Sequence, residues 1–106
     1  MATQSKHLLV GGLVAIGFDS SGEYLMVVSH SGRGVFAVGT WERVARDAAT
    51  LYPTEGAIEG VGPLAGMKVA VDQRDQLRER VVLRSPDGRY EVVGESDGIT
   101  IKSLAG

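Results

Sequence analysis

A chain of 106 residues, 43% hydrophobic and with a net charge of −2, fits one domain over 1–106 around a modest core. That charge gives no general attraction to nucleic acid or to an anionic membrane. With no Cys there is no disulfide, thiolate nucleophile or thiolate metal site, as suits a reducing compartment. Fifteen Gly against three Pro point to tight turns rather than long helices.

Lys6 followed by the apolar run Leu8–Phe18 has the outline of a secretion signal, but the run carries Gly11, Gly12 and Gly17 and has no small-x-small cleavage site before Asp19. The region His7–Phe18 is instead expected to be a buried strand or a strand pair bent at Gly11-Gly12, in a cytoplasmic protein. Asp19-Ser20-Ser21-Gly22 supplies turn chemistry, Tyr24–Ser29 a strand, His30–Gly34 a second turn and Val35–Val38 a third strand. Trp41–Arg46 alternates too irregularly to separate an edge strand from a turn. Asp47–Leu51 suits a helical turn that Pro53 and Gly56 would stop, and Ala57–Ala65 a Gly-rich loop or short strand. Met67–Val71 reads as a strand, and Asp72–Glu79 holds the helix-favouring side chains. Arg80–Ser85, Arg89–Glu95 and Ile99–Leu104 close the chain as strands. They are joined by Ser85-Pro86-Asp87-Gly88 and Ser96-Asp97-Gly98, where Asp-Gly offers the positive φ of tight hairpins.

A pattern recurs at constant offset. Ser20–Val28 aligns with Pro86–Gly94, placing Gly22 opposite Gly88, Tyr24 opposite Tyr90 and Gly32 opposite Gly98. Asp19, Gly22, Tyr24, Leu25, Val27, Ser29, Gly32, Val35 and Thr40 together resemble a single blade of a WD40-like β-propeller. The Trp-Asp and Gly-His pairs of that family are absent: Trp41 precedes Glu42, and neither His7 nor His30 follows Gly. One and a half such units cannot close a ring. What remains is a mainly β fold, a single antiparallel β-meander rolled into a sandwich or small barrel with at most one or two short helices, or a blade-like sheet that assembles with its own copies.

Candidate chemistry is sparse. Ser29, His30, Ser31 and Asp19 could approach across a hairpin, but no Gly-x-Ser-x-Gly elbow frames a nucleophile, and a polar turn explains them. His7 and His30 are too few for zinc, so no metal or other cofactor is expected. Gly60–Gly66 lacks the following helix of a phosphate loop, and Pro63 removes a donor. The pairs Glu55/Glu59 and Asp72/Asp75 read as solvated. Arg74, Arg78, Arg80, Arg84 and Arg89 are interleaved with Asp72, Asp75, Glu79 and Asp87, which makes a solvated mixed-charge face rather than a phosphate patch, the alternative being a contact for an acidic protein partner. Trp41 is a core plug or a partly exposed anchor.

These features point to a non-enzymatic protein-binding module without nucleic-acid or membrane partners. Its partner would be another protein or a second copy, as for a small bacterial inhibitor, an immunity protein or an assembly subunit. Trp41, Arg43 and Arg46 are the candidate contact residues. The alternative is a small hydrolase-like enzyme or ligand binder with a pocket near His30.

Overall fold

Apolar residues run unbroken through Leu13–Ile16 and Leu25–Val28, and strands that are apolar on both faces must be covered on both. The fold does so with three layers. The computed structural model, which describes residues 5–49, 52–73, 80–95 and 97–104, contains strands β1 (Ser5–Leu9), β2 (Leu13–Phe18), β3 (Tyr24–Ser29), β4 (Gly32–Ala37), β5 (Arg43–Asp47) and β6 (Ala57–Glu59). They are followed by a 3-10 turn (Gly62–Leu64) and by β7 (Lys68–Ala70), β8 (Asp72–Gln73), β9 (Val81–Arg84), β10 (Tyr90–Glu95) and β11 (Gly98–Ser103). The central sheet has the order β5-β4-β3-β2-β8, the outer sheet β1-β11-β10-β9, and β6-β7 form a hairpin. Every pairing between these strands is antiparallel and no sheet closes on itself, so the architecture is a sandwich rather than a barrel. No helix among the described residues is long and apolar enough to cross a membrane.

Two cores result. Leu25 and Val27 meet Ile16, Phe36, Val92 and Ile99 between the central and outer sheets, while Met26 and Val28 meet Val35, Ile58, Leu64 and Val69 beneath the β6-β7 hairpin. A register shift between Leu13 and Ala15 lets Leu13 and Ile16 face the first core and Val14 and Ala15 the second. The chain is therefore not one continuous meander: β2–β5 make one, β9–β11 another, and β1 crosses over to complete the second.

The sequence repeat corresponds to a repeated turn. In the first copy Asp19 N–H donates to the Tyr24 carbonyl and Gly22 N–H to the Asp19 carbonyl; in the second Ser85 N–H donates to Tyr90 and Gly88 N–H to Ser85, all at 2.9–3.0 Å. Gly22 and Gly88 have φ of 77° and 74°, where a Cβ is disfavoured. The buried side chains exchange roles. An Asp19 carboxylate oxygen accepts the Tyr24 N–H at 2.9 Å and the other accepts the Ser21 hydroxyl at 2.6 Å, whereas the Ser85 hydroxyl accepts the Tyr90 N–H at 3.1 Å and donates to Asp87 at 2.6 Å.

Several elements depart from the sequence expectation. Asp47 does not open a helical turn but ends β5, since Arg33 on the adjacent strand holds its carboxylate; Ala48 and Ala49 follow without regular structure, and 50–51 lie outside the described residues. Asp72 and Gln73 pair with Ile16 and Ala15 as β8 instead of starting a helix, and 74–79 lie outside the described residues. The helical segment among the described residues is the 3-10 turn Gly62–Leu64, with Pro63 in its first turn, in the expected Gly-rich loop. Gly98 supplies no positive φ: it sits in β11 opposite Glu95 and Leu9, and a Cβ there would overlap the Leu8 carbonyl oxygen.

Replacing Asp19 by Ala leaves the partly buried Tyr24 N–H without its side-chain acceptor and is expected to destabilise the protein by about 1 kcal/mol or more. The exchange Asp19→Ser with Ser21→Asp copies the second turn and should recover most of that loss. Chemical denaturation of the two variants measures it, and equal instability would show that the two turns are not interchangeable.

Candidate functional site

The irregular alternation over Trp41–Arg46 has a cause. Ala45 lies opposite Val35 and Arg43 opposite Phe36, so Val44 is an extra residue bulged out of β5. The bulge resets the parity of the strand. Arg43 and Arg46, three apart, then project from the same face, opposite Phe36 and Gly34, while Ala45 turns to the second core and Asp47 lies opposite Arg33. Both arginines are exposed, and neither has an ion-pair partner among the described residues. The Arg43 guanidinium stands 6.0 Å from the Phe36 ring centroid, within cation–π range.

A cleft of about 350 Å³ opens beside them. Val27, Phe36 and Val10 give it apolar surface, Ser29 and Ser31 a polar end, and Arg43 and Arg46 a cationic wall. Gly32 and Gly34 of β4 put no side chain into it.

Arg33 also borders the cleft, but it is engaged. Its Nε and Nη2 donate to the two Asp47 oxygens at 3.2 and 2.5 Å, and its Nη1 donates to the Glu59 carbonyl at 2.7 Å, tying β4, β5 and β6 together. This side chain is only 11% exposed. The Arg33 hydrogen bond holds the Asp47 carboxyl below its ordinary value of 3.8. Among the described residues, the Arg43–Arg46 pair is thus left as the charge of the cleft without an ion-pair partner.

Trp41 is placed differently from the two arginines with which the sequence grouped it. It is 6% exposed, its backbone is left-handed (φ 60°) at the end of the β4–β5 turn, and its indole meets Tyr90 edge-to-face at 5.2 Å. The ring belongs to the core between the sheets, and the exposed members of the candidate set are Arg43 and Arg46.

The other candidates are dispersed. Ser29, His30 and Ser31 share the β3–β4 turn, with the two hydroxyls 3.2 Å apart and His30 Nδ1 3.1 Å from the Tyr52 hydroxyl. Asp19 lies at the far end of β3, a six-residue strand and so about 17–20 Å away, occupied by its own turn. His7, on β1, bonds the Thr100 hydroxyl at 3.1 Å, and no group of three or more His, Cys, Asp or Glu residues among those described suits a metal ion. Gly60–Gly66 wraps the 3-10 turn against β5. Glu55, Glu59 and Asp72 are exposed, Arg84 pairs with Glu91 at 3.7 Å, and Asp75, Arg74 and Arg78 lie outside the described residues. The sequence reading missed Gly34 and Arg33, having placed both in a turn; a lone Gly within a strand is a signal of open space or close approach that could have found the cleft. No protein-family model, curated protein or solved structure matches the chain.

Because the folded Asp47 carboxyl ionises below its ordinary value, its ion pair stabilises the fold above about pH 4, and that contribution is lost as the pH falls through the lowered value. Asp47→Asn should therefore cost about 1 kcal/mol at pH 7, the carboxylate being 35% exposed and partly screened. The difference from the parent protein should shrink on acidification. Urea unfolding of both proteins between pH 7 and pH 2.5 tests this, and a pH-independent gap would exclude the ion pair as its source.

Proposed function

We propose that this protein is a non-enzymatic protein-binding module acting in the cytoplasm, and that it engages its partner through the cationic face of β5, with Arg43 and Arg46 as contact residues. The observation that carries this reading is the Val44 bulge, which sets two exposed arginines side by side on one face without an ion-pair partner among the described residues. Arginine is enriched at interface hot spots, where its planar fork grips a carboxylate in two-point contact. The adjoining cleft gives that charge an apolar neighbour, the usual composition of an interface centre. Trp41 supports the surface from behind by fixing the β4–β5 turn against Tyr90. A protein that works by covering a partner's surface, as small bacterial inhibitors, immunity proteins and assembly subunits do, needs no more chemistry than this.

The test is affinity capture from the native cell lysate, followed by reconstitution with the purified partner. Arg43→Glu with Arg46→Glu should abolish capture in a folded protein, each hot-spot arginine contributing about 2 kcal/mol, or about 30-fold in affinity. His30→Gln should capture normally. A partner held equally by the charge-reversed protein, or lost on His30→Gln alone, would overturn the reading in favour of a site at the His30 turn.

A further inference from the structure

Gly34 has no structural need to be glycine. Its φ is not positive, and a Cβ built on it would meet only the Ala45 carbonyl oxygen at 3.7 Å and Arg43 Cδ at 3.8 Å, ordinary contact distances. Its neighbour Gly32 differs, with φ 141° and a Cβ that would overlap the Asp47 carbonyl oxygen. A glycine inside a strand weakens it, and here neither dihedral nor clash requires one. What the missing side chain provides is the open floor of the cleft between Phe36 and Arg46.

Resting on the reading of β5 as the partner surface, we infer that this cleft is an anchor pocket for one apolar side chain carried on an acidic segment of the partner protein. The volume, about 350 Å³, lies at the bottom of the range for small-molecule sites and is enough to admit a single large side chain. Val10, half-buried, and the edges of Val27 and Phe36 that reach the opening, 4% and 7% exposed, are the apolar contact for an aliphatic or aromatic group. Arg43 and Arg46 flank the same opening, while the nearby carboxylate, Asp47, is already paired with Arg33. Acidic residues on either side of the anchor complete that charge pattern. The segment lies across the sheet face rather than extending it, because a bulge and charged side chains on β5 discourage strand addition at that edge.

Titration of the isotopically labelled full chain with synthetic peptides, followed by NMR, tests this. The probe Glu-Asp-Leu-Asp-Glu, with capped ends, should shift the Val27, Gly34 and Phe36 amides saturably. Gln-Asn-Leu-Asn-Gln and Glu-Asp-Ser-Asp-Glu should each bind about tenfold more weakly or worse, a loss of about 1.4 kcal/mol. Gly34→Val, which fills the floor with a residue suited to a strand, should weaken the first peptide by a similar factor while the arginines remain. Should that variant misfold, Gly34→Ala gives a graded loss in its place. Equal binding of the Leu and Ser peptides, unchanged binding to a folded Gly34 variant, or no saturable shift would each overturn the anchor pocket. A captured partner that is lost on charge reversal of the arginines yet kept by Gly34→Val would leave the β5 surface standing and remove this inference alone.

Discussion

Burial of the central sheet on both faces is the constraint from which the rest of the fold follows. Ile16, Leu25, Met26, Val28 and Val35 are fully enclosed, so at these positions β2, β3 and β4 have no water-facing side to relax toward. One layer must be the outer sheet and the other the β6-β7 hairpin with its 3-10 turn. Close approach of those layers then dictates small residues at the crossing points: a Cβ on Gly94 would strike Leu13, and one on Gly17 would strike the backbone of Ala70 and Val71. Arg33 secures the second layer by a different means. Its guanidinium bonds both the β5 carboxylate and the β6 carbonyl, so the hairpin is fixed by a directional bond as well as by apolar contact.

The internal repeat is stacked head to tail. Tyr24, Met26 and Val28 of the first unit face the β6-β7 layer, and their counterparts Tyr90, Val92 and Gly94 face the central sheet, so each sheet presents the same face to its neighbour. A two-fold sandwich would have turned equivalent faces toward each other. Head-to-tail stacking leaves one end open, and the differences between the copies close it. Leu25 and Phe36, buried between the sheets, become Glu91 and Lys102, which with Arg84 form a charged row on the outside of the outer sheet. β1 does for that sheet what β5 does for the central one, pairing along the third strand of the meander. The first and last strands are thereby held in one sheet.

Local chemistry made part of this legible in the sequence. The Asp19–Gly22 and Ser85–Gly88 turns could be read because their hydrogen bonds join residues at most five apart, and β3, β10 and β11 because their apolar and β-branched runs are long. The position of β1 was illegible, since Val10–Gly12 looks the same whether it joins two strands of one sheet or of two. The bulges at Leu13–Ala15 and Val44 were illegible for another reason: an extra residue breaks the period of 2 on which a strand is recognised, and the surface that it creates cannot be read from alternation. Trp41 illustrates the limit. Its left-handed backbone takes it out of the strand pattern, and only the position of Tyr90, 49 residues away in sequence, decides that its ring is buried.

One irregularity thus serves two ends at β5. An edge strand is exposed to unwanted pairing, and a bulge with charged neighbours is an ordinary protection against it. Had the strand kept regular alternation, Arg43 and Arg46 would have pointed to opposite faces, one of them toward the second core beside Ala45 and the 3-10 turn, where an unpaired guanidinium is costly. The bulge removes that cost by bringing both to the open face. Once there, they have no ion-pair partner among the described residues, since Asp47 lies opposite Arg33 and is held by it. Protection of the edge and the gathering of two cationic side chains on one face therefore follow from the same inserted residue, and removing Val44 would abolish both together.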